Sequence, residues 1–174
     1  MLRRMSRDII DDLQEDWSEE RPDLDSEAMG VVLRIQALDK ILGDQVAARL
    51  RDFGLQWWQY DVLSALRRQG KPFLMAATEL AESTMLTSGA MTNRIDRLES
   101  KGLVRRVHDP ADRRRVLVEL TAQGHKQVEN ATRARFEIAS SALARLDRKR
   151  RKQLSDLLRQ LLLAQDELQQ GEGN

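Results

Sequence analysis

Met91, Ile95 and Leu98 recur at i, i+4 and i+7, while Gly89, Asn93, Asp96, Arg97 and Ser100 face the other way. That spacing predicts an amphipathic helix with a narrow buried stripe and a small polar outer face. Thr87 or Ser88 can cap its start, and Gly102 stands where a left-handed residue ends a helix. Beyond it the period changes. Leu103–Val107 and Arg115–Leu120 are short runs of strand formers around the turn HDPADRRR, a pattern that predicts a hairpin. Upstream, Thr78–Ser83 reads as a brief helix, separated from the amphipathic one by Thr84-Met85-Leu86. No small polar cap precedes it, because Met75-Ala76-Ala77 stand before Thr78.

The remainder is helical. A first helix is predicted over Ser6–Glu19, with Ile10, Leu13 and Trp17 on one side and Arg21-Pro22-Asp23 as its stop. A longer one covers Ser26–Asp52, with Val31, Ile35, Leu38, Leu42 and Val46 as its expected buried stripe. A third, Gln56–Gln69, is apolar around most of its circumference and belongs at a domain centre. Gly70-Lys71-Pro72 then turns the chain into an extended Phe73–Met75. After Thr121 one helix is expected to about Leu146, and Asp147 caps a last one to about Gln169. There Leu154, Leu158, Leu161 and Leu168 recur near heptad spacing, widened by Leu157, Leu162 and Leu163. This much helical apolar surface at both chain ends is more than one small domain covers, so pairing with a second copy is expected, the alternative being that these helices pack back on their own domain. The fold class is mainly α with a small β-wing, a winged helix-turn-helix. Residues 1–20 form an extra N-terminal helix, 26–55 and 121–170 a helical dimerisation region, 56–120 the winged helix-turn-helix, and 171–174 a disordered tail.

Composition narrows the chemistry. The chain has 174 residues, no cysteine and two histidines, His108 and His125. Disulfides, thiolate metal sites and cysteine nucleophiles are excluded, and no cofactor is expected. There is no phosphate-cradling glycine loop, metal cluster or nucleophile–base pair, so an enzyme is not expected. No stretch approaches the roughly 20 apolar residues that span a bilayer, and the N-terminus lacks an apolar signal core. A cytoplasmic location follows as the expectation. The formal net charge of +1 conceals strong asymmetry. Residues 1–30 carry four basic and ten acidic side chains, whereas 88–118 carry eight and four, and 133–152 carry eight and two. A cationic face on a neutral protein suits a polyanion; helical charge runs also serve simply as solvated faces.

Double-stranded DNA is the polyanion these elements fit. Thr87, Ser88, Asn93 and Arg97 are candidates for the major groove and its phosphates, since hydroxyls suit phosphate oxygens and Asn or Arg can pair with base edges. Arg114, at the wing tip, suits a narrow minor groove. Arg113 and Arg115 are assigned to phosphates or solvent. Two alternatives stand beside this reading: a winged helix that binds DNA without sequence preference, and one that contacts protein partners. His108 and His125 are read as ordinary polar residues.

With these residues in place, the chain resembles the MarR family of bacterial transcription regulators across roughly Met29–Leu168. The likeness rests on TELAE (Thr78–Glu82), on SGAMTNRIDRLESKGLV, and on DPADRRRVLVELT (Asp109–Thr121), the last matching the family's wing pattern. The resemblance implies a triangular homodimer joined by its terminal helices, acting as a repressor, with Asp112 holding Arg114 in the wing. Within the family the chain is similar to the urate-responsive PecS/HucR-like branch, through its extra N-terminal helix, Trp17 with Arg21-Pro22-Asp23-Leu24-Asp25, and the SGAMTNRIDRLE wording. That likeness implies a small anionic ligand, urate, xanthine or similar, held by Trp17, Asp61, Arg94 and Arg106. Asp61 lies among aromatic residues and leucines and needs a polar partner. Arg94, about 70° from its helix's apolar stripe at about 100° per residue, could turn inward to supply one. An anionic purine taking Arg94 would then displace Asp61. Equally, Trp17 could merely pin the extra helix, and Asp61 could favour the start of its own.

Overall fold

Asp8 starts the first helix. Its carboxylate accepts the Ile10 and Asp11 N–H groups, and the Asp11 carboxylate accepts the Asp8 N–H at 2.7 Å. This reciprocal cap sets α1 at Ile9–Glu20. The computed structural model describes residues 7–109 and 115–171. The described residues fall into two compact units, one ending at Ala131 and the other beginning at Thr132.

In the first unit, α1 docks on α2 (Ser26–Asp52) mainly through polar groups. Gln14 donates to the Ser26 carbonyl at 3.0 Å, and the Arg34 guanidinium donates to Asp8, Asp11 and Gln14 at 2.6–3.0 Å. Ile10 is buried, but Leu13 and Trp17 are exposed, so the expected apolar side of α1 is open for most of its length. The α2 stripe also differs from its expectation. Val46 is buried, joined by Leu50, whereas Val31, Ile35 and Leu38 are 47%, 39% and 55% exposed. Helical periodicity identifies the face that must be covered but not the chain that covers it.

The third helix, α3 (Trp57–Arg68), supplies Val62, Leu63, Ala65 and Leu66 to the core, each at most 1% exposed. Strand β1 (Leu74–Ala76) leads into α4 (Ala77–Ser83), then α5 (Ser88–Ser100), β2 (Val104–His108) and β3 (Val116–Leu120). The sheet is antiparallel in the order β1-β3-β2, and Val118 faces both Met75 and Arg106 across the ladders. Met91, Ile95 and Leu98 of α5 are buried with Leu80, Leu103, Val104 and Val118. Gly102 has φ +69 and ends α5 as expected, because no Cβ opposes the left-handed turn. These elements form a winged helix-turn-helix.

Helix α6 (Ala122–Ala142) begins in the first unit. It stops four residues before the expected Leu146. There the chain tightens into three-residue turns, with Ala144 N–H on Ser141 O and Leu146 N–H on Leu143 O, while the Arg151 guanidinium takes the Leu146 carbonyl. In the second unit, Asp147 caps α7 (Arg148–Gly171) by accepting the Arg150 N–H at 2.8 Å. Leu143, Leu154, Leu158 and Leu162, flanked by Arg151 and Arg159, line an open apolar groove. Leu157, Leu161 and Leu163 are exposed as well. Among the described residues, no helix is long and apolar enough to cross a membrane.

Candidate nucleic-acid interface

The brief helix α4 has no side-chain cap at Ala76, and Glu79 substitutes for one. One of its carboxylate oxygens accepts the Ala76 N–H at 3.3 Å, and the other pairs with the Arg115 guanidinium. Arg115, expected to meet phosphates or solvent, is therefore held by Glu79, with Asp109 3.9 Å away. The base of the hairpin is thus tied to the start of the helix-turn-helix.

The turn between α4 and α5 is fixed by local bonds. The Thr84 hydroxyl donates to Leu80 O at 2.8 Å, and Leu86 N–H donates to Ala81 O at 2.9 Å. Thr87 is the residue that caps α5, its hydroxyl accepting the Ala90 N–H at 3.3 Å. Burial of Met91, Ile95 and Leu98 turns Thr87, Ser88, Asn93 and Arg97 outward, and all four are exposed. Asp112, Arg113 and Arg114 lie outside the described residues.

Of the four residues assigned to a ligand, two engage α5 from different sides. Arg94 lies with its guanidinium 5.5 Å from the centre of the Trp58 ring on α3. An aromatic face thus receives Arg94; at a partly exposed site such a contact contributes about 0.5–1 kcal/mol. Asp61 follows Trp58 by three residues on α3 and is half-buried. Arg106 reaches from β2 to the C-terminal half of α5. Its guanidinium donates to Asp96 at 2.6 Å and to Glu99, and its N–H donates to the other Glu99 oxygen at 2.9 Å. Trp17 is 54% exposed on α1, and among the described residues no ring or cation contact joins it to the other three.

Four contributors escape sequence reasoning. Asp96 and Glu99 read as solvated helix charges, and only the paired backbone of β2 shows that they clasp Arg106. Glu79 is legible as part of a capping box, but its partner lies 36 residues away. Thr121 ends the wing pattern, and its role is mechanical: its hydroxyl donates to Gly102 O at 2.6 Å and accepts the Gly124 N–H at 3.0 Å.

Residues 53–115 match the sequence profile of the MarR family. Transcriptional regulator HosA of Escherichia coli O111:H- is 36% identical over 106 residues, spanning 61% of this chain and 76% of HosA. The chain belongs to the MarR family. It is a DNA-binding transcriptional regulator of that family, and the profile covers the chain from α3 through the helix-turn-helix and β2, stopping before β3. This MarR-family chain is also similar to the HTH-type transcriptional regulator PecS of Dickeya dadantii (strain 3937), at 28% identity over 149 residues, 86% of this chain and 90% of PecS. Among solved structures it is similar to Sco3205, a MarR family transcriptional regulator from Streptomyces coelicolor crystallised in complex with DNA. The TM-score is 0.68 and the identity 26%, over 80% of this chain and 88% of Sco3205.

Proposed function

We propose that this regulator is a homodimeric repressor of an inverted-repeat operator, and that a small anionic ligand, urate, xanthine or a related purine, releases it. The observation that carries the ligand response is the double hold on α5: Arg94 fixes its flank to α3, and Arg106 fixes its C-terminal half to β2. An anion drawing on both guanidiniums competes with Trp58, Asp96 and Glu99 and changes how α5 is held. Trp17 supplies an exposed flat surface for a purine, and Asp61 an acceptor for its N–H groups. Likeness to PecS over 86% of the chain supports this branch of the family.

Pairing is supported by the open apolar faces of α1, α2 and α7. Two copies would cover them and present two α5 helices to successive major-groove faces, about one helical turn apart. Thr87, Ser88, Asn93 and Arg97 would meet bases and phosphates, with Asp112, Arg113 and Arg114 acting from the wing. Occupying a promoter is then sufficient for repression. The ligand acts by favouring the arrangement that binds DNA poorly; equal affinity for both would move nothing. A tenfold loss of operator affinity requires a preference of about 1.4 kcal/mol.

The test is fluorescence anisotropy on an inverted repeat recovered from genomic fragments, titrated with urate and with xanthine, beside Arg94→Ala and Arg106→Ala. The expected result is release by at least one purine and loss of that release in both variants. If neither purine changes the affinity, the ligand assignment is wrong. Sedimentation as a monomer would remove the pairing, and equal affinity for random duplex would favour the non-sequence-specific reading.

A further inference from the structure

We propose that Met85, in the turn between α4 and α5, is a specificity-determining DNA contact whose thioether packs on the 5-methyl group of a thymine. The inference rests on the DNA-binding reading and deepens it. Met85 is 96% exposed, whereas Met91, six residues on, is 1% exposed. Its φ is +53, a left-handed conformation that non-glycine residues adopt at a cost. Single exposed apolar residues are common on protein surfaces. This one is also held in place: Met85 N–H donates to Glu82 O at 3.1 Å, Leu86 N–H donates to Ala81 O at 2.9 Å, and the Thr84 hydroxyl secures the end of α4. The backbone therefore directs the thioether away from the core on a turn that local bonds define.

Position names the occupant. Met85 stands two residues before Thr87, the cap of α5, and Thr87 and Ser88 beside it are exposed. The N-terminal residues of a recognition helix are those that meet base edges in the major groove. A methionine cannot neutralise a phosphate or pair with a donor–acceptor edge. The thymine methyl is the apolar mark that the major groove displays. An unbranched, polarisable thioether adapts to such a target without demanding one geometry.

The experiment begins with a duplex selected from a random pool by the full-length protein. Affinity is measured by anisotropy for that duplex and for versions with thymine replaced by 2′-deoxyuridine, one position of each half-site at a time. The wild-type protein is expected to lose about fourfold at one such position, the effect of a single buried methyl group. Met85→Ala should bind the parent duplex about tenfold more weakly and be indifferent to that replacement, while Met85→Leu keeps both affinity and sensitivity. The salt dependence of Met85→Ala should match wild type, since no phosphate contact is removed. Its melting temperature should be unchanged, which separates lost contact from lost fold. The proposal is overturned if Met85→Ala binds like wild type, or if it binds weakly yet stays sensitive to the missing methyl. A wild-type protein that selects no duplex would remove the DNA-binding reading, and this proposal with it.

Discussion

Replacing the buried Gly124 by alanine should destabilise the winged helix. Gly124 is the third residue of α6, where the helix starts against the end of the reading segment. The Leu103 carbonyl accepts the Thr121 N–H at 3.1 Å, while the Thr121 hydroxyl gives its proton to Gly102 O at 2.6 Å. A Cβ on Gly124 would fall 2.8 Å from the Leu103 carbonyl carbon and 3.2 Å from its Cα, with the carbonyl oxygen closer still. Carbon atoms pack at about 3.5–4.0 Å, so backbone on one side or the other must withdraw. Overpacking of this kind costs about 1–3 kcal/mol. Weakening the Thr121 N–H bond to Leu103 O adds about 1 kcal/mol, roughly what alanine returns through its helix preference over glycine. The net is a loss of about 2 kcal/mol, or a fall in Tm of about 4–8 °C for a chain of this size. Thermal unfolding followed by circular dichroism, at fixed protein concentration because pairing shifts Tm, measures it. Gly89→Ala is the matched control, since nothing lies within 4 Å of a Cβ there. Equal melting of the two variants would refute the steric reasoning.

Other consequences are separately testable. Hydrogen bonds from Arg34 hold the Asp8 carboxyl below its ordinary value of 3.8. A depressed carboxyl contributes stability above that value and loses it as pH falls through the lower folded one, so α1 should loosen below about pH 4. Arg34→Ala should loosen α1 already at neutral pH; α1 amide resonances in NMR spectra that stay native under both conditions would contradict this. Glu79→Gln keeps an acceptor for the Ala76 N–H but releases Arg115. Melting should move by less than about 1 kcal/mol, as for exposed ion pairs, while the dependence of log affinity on log salt steepens by about one phosphate contact. A slope identical to wild type would show that Arg115 does not exchange Glu79 for DNA.

Local pattern made α3, α5 and the hairpin legible, because each element carries its own period and its own stop. Met91, Ile95 and Leu98 had to face inward whatever surrounds them, which turned Thr87, Asn93 and Arg97 outward. The α2 stripe was legible as apolar but not as exposed, since nothing among the described residues covers Val31, Ile35 and Leu38 fully. Pairings between distant charges were the hardest to read. Arg106 with Asp96 and Glu99, and Arg115 with Glu79, depend on the register of β2 and β3, which no spacing in the chain declares. The place of Arg94 over the Trp58 ring likewise depends on how α5 packs on α3, which no spacing in the chain declares.

Strand β3 lies between β1, which precedes α4, and β2, which follows α5. Both ends of the helix-turn-helix are therefore stitched to a single ribbon of backbone. Rotating α5 on its own would tear one of those seams, so a force applied to it is transmitted to the hairpin and to α4 together. A signal that loosens either hold on α5 would therefore re-aim the hairpin and α4 along with it.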